Sequence, residues 1–300
     1  MPQPFDIVFL GTGSPLPSPD RCGCGHVIVA AGQHILVDCG WGAARRILAS
    51  GIMPSAIDTA VFTHMHTDHI TDFPDFLFLR WTSGARVPLR VYGPEGTGEM
   101  VEGFLHALRR DIGFRLAHHG DKLHPDGIVV EVTEISPSAR PAPFFERDGL
   151  VLERFEVDHF PVVPAFGYRA RFDGRTAVLS GDTSFCESLL HAAEGADMLV
   201  CEALNTPMLN ERIAALRAIG RDLQASLFED VPSYHIDVSD VARLAQQAGV
   251  RQLVLNHLIP PVPNSGPELD RFIAGMTERF RGPIRVARDT ERIPVPGAPA

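Results

Sequence analysis

The chain is short of lysine, of paired cysteine and of long apolar runs, and each shortage weighs against a class of function. Lys122 is its one lysine, and 27 basic residues face 37 acidic ones, for a formal net charge of −10. That balance argues against a broad nucleic-acid-binding surface, which neutralises phosphate with positive charge, and leaves only a local basic patch open. The five cysteines, Cys22, Cys24, Cys39, Cys186 and Cys201, are odd in number and scattered, which argues against a disulfide framework. Cys22-Gly23-Cys24 has no matching second pair to complete a metal site. No apolar run reaches the length of a membrane span, and the opening Met1-Pro2-Gln3-Pro4 carries no basic residue. The expectation is a reduced, cytoplasmic protein without a membrane partner. A Gly-x-Ser-x-Gly elbow, a flavin or haem motif and an internal repeat are also missing.

What is present begins with enough apolar residues for a core. Three hundred residues at 45% hydrophobic content suffice for one large domain. We read a single domain over residues 1–288 and a short proline-rich tail at 289–300 that frays from Ile293. The most informative stretch is Thr63-His64-Met65-His66-Thr67-Asp68-His69, which sets three imidazoles and a carboxylate directly after Thr59-Ala60-Val61-Phe62. That preceding run is apolar without alternation, as a strand buried on both faces requires. Side chains at the carboxyl end of such a strand converge on a crevice. His64 and His66, two apart, can hold one ion from the same side, and Asp68 and His69 continue round the turn toward a second.

The pattern of strand followed by ligand recurs. Phe5 to Leu10 is a first strand, and Gly11-Thr12-Gly13-Ser14-Pro15 a tight turn under the site. His26 to Ala31 and His34 to Val37 form a hairpin ending on Asp38, which either orients ligands from behind or caps a helix over Ala43 to Ser50. Leu150 to Val157 ends at Asp158-His159. Phe166 to Phe172 and Thr176 to Ser180 pair through Asp173-Gly174 and end at Gly181-Asp182, and Leu253-Val254-Leu255 ends at Asn256-His257. Helices are expected over Phe73 to Trp81, covering the site, and over Met100 to Leu108, Asn205 to Tyr234, Asp237 to Ala248 and Glu268 to Phe280. Asp111 to Asp126 shows no pattern, so His118, His119 and His124 read as surface residues, and the proline-rich Ser136 to Asp148 reads as a link. The apolar stripe Leu209, Ile213, Leu216, Ile219 and Leu223 suits core, a lid, or a subunit contact that leaves a homodimer open.

The ligand-bearing positions thus share one crevice and divide into two sets. His64, His66 and His159 suit a first ion, Asp68, His69 and His257 a second, and Asp182 bridges both. Two cations close enough to share one water make it hydroxide near neutrality, able to attack a carbonyl, phosphoryl or sulfuryl centre. Two Zn²⁺ per chain are expected, with manganese or iron compatible with the same donors. Structural zinc sites are closed and rich in cysteine, so catalysis is preferred over a metal that only staples a binding protein.

His64-x-His66-x-Asp68-His69 resembles the signature of the metallo-β-lactamase superfamily. Gly11-Thr12-Gly13-Ser14-Pro15, His159 with Pro164-x-Phe166-Gly167-Tyr168, Gly181-Asp182-Thr183, His235 ahead of a helix, and Leu253 to His257 narrow the resemblance to the ribonuclease Z branch, which also holds aryl-sulfatase-like and phosphodiesterase-like enzymes. The resemblance implies a zinc-dependent hydrolase with the four-layer αβ/βα sandwich of that fold, two mixed β-sheets with helices outside. It also implies that Asp68 both ligates metal and accepts the proton of water, while His235 assists the leaving oxygen. One departure stands out. The long Gly- and Pro-rich arm that grips transfer RNA in ribonuclease Z is missing, the interval from Phe160 to Gly181 being filled by a hairpin. Together with the acidic charge, this leads us to expect a small-molecule ester substrate (aryl sulfate, phosphodiester, carboxylic ester or lactone), with a tRNA 3′-processing endoribonuclease as the alternative. Phe73 to Trp81 and Met208 to Phe228 are expected to line the crevice.

Overall fold

Fourteen strands divide between two seven-stranded sheets in the computed structural model, which describes residues 3–297. The first sheet takes β1 (Phe5–Gly11), β2 (Gly25–Ala30), β3 (Gln33–Val37), β4 (Ile57–Val61), β5 (Leu89–Gly93) and β6 (Val130–Glu134). The second takes β7 (Ala142–Arg147), β8 (Leu150–His159), β9 (Val162–Phe172), β10 (Arg175–Leu179), β11 (Met198–Leu204), β12 (Gln252–Ile259) and β13 (Ile284–Val286). A last strand, β14 (Arg292–Pro294), returns to pair antiparallel with β1 at the edge of the first sheet. Both sheets are mixed: β3 to β6 run parallel, as do β10 to β13, while the hairpins β1–β2–β3 and β7–β8–β9–β10 are antiparallel.

Alternation of side chains across each strand accounts for the layers. Phe5, Ile7, Phe9, Ile28, Ile35 and Val61 point inward from the first sheet and meet Leu152, Phe166, Tyr168, Leu179, Val200 and Val254 of the second. Their neighbours point outward. Val8, Leu10, Leu36 and Ala60 pack beneath α1 (Ala43–Ala49), α3 (Phe73–Thr82) and the start of α4 (Thr97–His119), with the single-turn α2 (Thr67–Ile70) between α1 and α3 in the chain. Leu199, Cys201, Leu253 and Leu255 lie beneath α5 (Glu187–Ala193), α8 (Val238–Gln247), α9 (Pro267–Phe272) and α10 (Met276–Arg279). Helix, sheet, sheet, helix is the order, the αβ/βα sandwich expected. The remaining pair, α6 (Thr206–Ala218) and α7 (Asp222–Asp230), sits over a small cluster of Leu204, Leu209, Ile213, Ala225 and Ile259.

Several elements differ from expectation for identifiable reasons. α4 continues to His119, so His118 and His119 are helical; only Thr97 and Val101 of this helix are buried, and an exposed helix needs no apolar stripe. The helix expected from Asn205 to Tyr234 breaks at Gly220, which adopts a positive φ of 73°. Likewise the one expected over Glu268 to Phe280 breaks at Gly275, φ 80°. Part of the proline-rich link forms β7, an edge strand, where Pro143 costs no ladder bond. The C-terminal residues read as a frayed tail are instead anchored: β14 holds Ile293 against Ile7, and Asp289 accepts hydrogen bonds from Thr12 N, Thr12 Oγ1 and Cys22 N at 3.0, 2.7 and 2.7 Å. Residues 298–300 lie outside the described residues. Among the described residues, no helix is long and apolar enough to cross a membrane.

Candidate metal centre

The carboxyl ends of β3 and β4 in one sheet and of β8, β10 and β11 in the other face each other across the sandwich, with β12 completing the rim. Two hydrogen bonds clamp the sheets there, from Tyr168 Oη to the Phe62 carbonyl at 2.6 Å and from Phe166 N to the Thr63 carbonyl at 2.9 Å. Asp38, just after β3, adopts a φ of +56°, a left-handed conformation that aspartate tolerates. From there it accepts Thr63 N, Thr63 Oγ1 and His69 Nδ1, each at 2.8 Å. It does not cap α1, whose Ala44 N–H goes to Asp72 at 2.9 Å. The loop carrying the histidines is also tied by its backbone: Cys39 N donates to the His69 carbonyl at 2.6 Å, and Gly40 passes so close that a Cβ would lie 1.9 Å from the Asp68 carbonyl oxygen. His257 reaches the crevice because the β11–β12 register shifts between Glu202 and Ala203, leaving His257 as the extra residue of a bulge with φ +46°.

The side chains so placed form two groups that share Asp182. In one, His64, His66, His159 and Asp182 each offer a ligand atom within 4.8 Å of the others; in the other, Asp68, His69, Asp182 and His257 do the same. His64 Nε2 and His159 Nε2 stand 3.0 and 3.4 Å from His66 Nδ1. Asp182 Oδ2 lies 3.9 Å from His64 Nε2, 3.4 Å from His69 Nε2 and 3.3 Å from His257 Nε2, and Asp68 Oδ2 lies 3.1 Å from that last nitrogen. The structure thus brings together all seven residues read as ligands, with Asp38 behind them.

The donors suit cations better than they suit one another. Three imidazole nitrogens aimed at one point cannot all be satisfied mutually, and His69 Nε2 is buried with no hydrogen-bond partner among the described residues. The far nitrogens are held. His69 Nδ1 donates to Asp38, His159 Nδ1 to the Tyr234 carbonyl at 2.9 Å, and His64 Nδ1 to Thr63 Oγ1 at 3.0 Å, whose hydroxyl passes on to Asp38. Each such bond turns the other nitrogen toward the centre; on His69, which Asp182 and Asp68 hold well above its ordinary value against the pull of burial, a cation would displace the proton there. Burial pushes the His64 imidazole well below its ordinary value, keeping its Nε2 lone pair free. Burial works to raise Asp182, but His257 and His69 outweigh it and hold the carboxyl well below its usual range, an anion at the centre. Three nitrogens and an oxygen in one group, two nitrogens and two oxygens in the other, and no thiolate: this donor set fits a dinuclear centre of borderline metal ions. Cys24 lies near Asp38 and His69, but burial drives its thiol up to about 11, so it stays protonated.

His235 and a residue that sequence reading missed complete the centre. Burial holds the His235 imidazole below its ordinary value, and its Nδ1 accepts from the Glu202 carboxyl, whose Oε2 lies at 2.7 Å; the ring lies 5.2 Å from that of His159 and 5.6 Å from that of His257. Glu202 sits in β11 and is buried; burial and the neighbouring Asp182 push its carboxyl well above the ordinary value. The available signal was the single acid in Met198-Leu199-Val200-Cys201-Glu202-Ala203-Leu204, an otherwise apolar strand. Of the two segments expected to line the crevice, α3 does not: Phe73, Phe76, Leu77 and Trp81 are buried in the outer layer against the first sheet. The α6–α7 region does, with Leu209, Leu227 and Phe228 walling a cavity of about 210 Å³ that reaches His66, Asp182 and His235. His124 lies at the surface beyond α4, far from the ligand groups in the chain and outside both of them.

Comparison with known proteins places this arrangement. The β-lactamase superfamily domain matches residues 33–258. A ribonuclease Z of Mycobacterium marinum is 37% identical over 294 residues, spanning 97% of this chain and 99% of the relative. The short form of human tRNase Z has the same fold at a TM-score of 0.69 and 21% identity, over 97% of this chain and 100% of that one. A metallo-β-lactamase-fold protein of Bacillus subtilis, 19% identical, also superposes at 0.69 over 97% of this chain and 99% of its own. These findings correct one expectation. β8 and β9 join through Phe160-Pro161 alone, so the arm is indeed missing. Yet 294 aligned positions occupying 97% of this chain leave room for only a few residues that the mycobacterial ribonuclease Z has and this chain lacks. The missing arm therefore does not separate the two, and the small-molecule ester expected as substrate is overturned by full-length relatives that are ribonucleases. By its domain match and by identity along nearly its whole length, the chain belongs to the ribonuclease Z family of the metallo-β-lactamase superfamily.

Proposed function

We propose that this chain is a tRNA 3′-processing endoribonuclease of the ribonuclease Z type, working with two divalent ions, zinc by preference. The observation that carries the reading is the full-length match to ribonuclease Z, 97% of one chain against 99% of the other. The geometry supports the chemistry. When bound, two ions would polarise a phosphodiester and lower the pKa of water toward neutrality. His64, His66, His159 and Asp182 would hold one, and Asp68, His69, Asp182 and His257 the other.

The chain's own groups supply the proton transfers. Asp68 Oδ2, buried beside His257 Nε2, is positioned to take the proton of the attacking water. As the water oxygen bonds to phosphorus, the bond from phosphorus to a ribose oxygen breaks, and His235 gives that oxygen its proton. Glu202, at 2.7 Å, fixes the His235 ring by binding Nδ1, so that Nε2 is the nitrogen that donates. Five free cysteines support a reducing, cytoplasmic setting. The test is a tRNA precursor with a 3′ trailer, incubated with purified protein and zinc, and the cut mapped to the nucleotide. Cleavage at the 3′ end of the tRNA body supports the reading; an intact precursor under conditions where both metals are bound refutes it.

A further inference from the structure

The cavity beside the metal centre is lined mostly by apolar side chains and is continuous with the reacting groups. Leu16 from the loop after β1 faces Leu209 of α6 and Phe228 of α7, with Tyr234 contributing a second aromatic surface. The same cavity is lined by His66, Asp182 and His235, so whatever enters it belongs to the substrate on which those residues act. Its volume of about 210 Å³ suits one planar ring system. Two further features surround it. The guanidinium of the exposed Arg212 lies 5.8 Å above the Phe228 ring. Leu223 and Leu227, four apart on α7, are 75% and 57% exposed, an apolar stripe leading to the cavity mouth.

We propose that this cavity is a nucleobase subsite: it receives the unpaired base of the nucleotide whose ribose carries the leaving oxygen, stacked on Phe228, with Arg212 placed for an adjoining phosphate. The side of the cut follows from His235, which lines the cavity and protonates the leaving oxygen, so the ribose bearing that oxygen stands at the cavity mouth. Aromatic stacking tolerates any base, because every base has a π-face, which suits an enzyme that must cut many sequences at one position. This inference rests on the ribonuclease reading above.

The test uses the metal-loaded protein and a tRNA precursor with a methylphosphonate at the scissile linkage and 2-aminopurine on one side of it or the other. Stacking quenches 2-aminopurine, so binding should quench the probe on the leaving-oxygen side and spare the one opposite. Phe228→Ala should abolish the quench, Phe228→Tyr should keep it, and on unmodified precursor Phe228→Ala should lower kcat/KM roughly 5- to 150-fold, chiefly through KM. Cleavage of the precursor with no quench on that side, or a quench indifferent to Phe228→Ala, overturns the subsite and leaves the proposed function standing. A wild-type protein that neither binds nor cleaves the precursor overturns the proposed function and the subsite with it.

Discussion

Replacing Asp38 by asparagine should weaken one metal site and spare the other. Asparagine keeps the shape of the side chain and tolerates the φ of +56° at this position, so the fold should survive. What changes is the second oxygen, Oδ2, which accepts both Thr63 Oγ1–H and His69 Nδ1–H at 2.8 Å. With an amide NH₂ in its place, Thr63 can turn its hydroxyl to accept, but His69 cannot: Nδ1–H would face N–H. The imidazole relieves the clash by moving its proton to Nε2, the nitrogen 3.4 Å from Asp182 and 3.6 Å from Asp68, and so blocks its own lone pair. Losses of this kind from behind a ligand run about 10- to 100-fold in metal affinity, or roughly 1.4–2.7 kcal/mol. Competition against a chromophoric chelator, with wild type and variant side by side, should show that drop for one zinc and less than about a threefold change for the ion held by His64, His66 and His159, taking tenfold as 1.4 kcal/mol. Both affinities unchanged, or both lost together, would refute the assignment of Asp38 to His69.

Three further outcomes follow from the same geometry. Gly40→Ala should destabilise the protein by about 3 kcal/mol or more, since its Cβ would fall 1.9 Å from the Asp68 carbonyl and backbone must move; a melting temperature within a degree of wild type would contradict the close approach. Glu202→Ala should reduce turnover without weakening metal binding, because it removes the carboxyl that holds the His235 ring, and His235→Ala should cost about 10²–10⁴-fold in kcat, a general acid's usual share; metal content measured beside activity separates the two effects. Burial holds His26 down to about 3, so the folded chain keeps it neutral while the unfolded chain protonates it near 6.5. Below that value the unfolded state binds more protons and stability falls as pH drops, by about 2 kcal/mol between pH 7 and pH 5 from this residue alone. Denaturant unfolding of His26→Gln should therefore lose less stability than wild type over that interval, and parallel losses would refute the buried neutral state.

The sandwich and the ligand groups were legible because their signals are local. Buried strands read as largely apolar runs, and several here end where ligand-type residues begin, as Val61 gives way to His64 and Leu179 to Asp182. What stayed hidden depends on contacts distant in the chain. The outer half of α4 carries no stripe because almost nothing packs on it, so apolar spacing stops near Asp111 while the helix continues to His119. α3 is apolar enough to suggest a pocket, yet its Phe73 and Phe76 fill the layer between helix and sheet. Glu202 gains meaning only when Ser233-Tyr234-His235, thirty-odd residues on, folds back over β11. The net charge misled more than any motif: a formal −10 describes the whole surface, while the substrate meets one crevice.

The most direct test begins with metal-free protein and a 3′-extended tRNA precursor, and follows cleavage as zinc is added in fractions of an equivalent. Activity that stays low through the first equivalent, rises with the second and cuts at the 3′ end of the tRNA body is the predicted result. Full activity at one equivalent, or a precursor left intact at two, would contradict a dinuclear tRNA-processing centre.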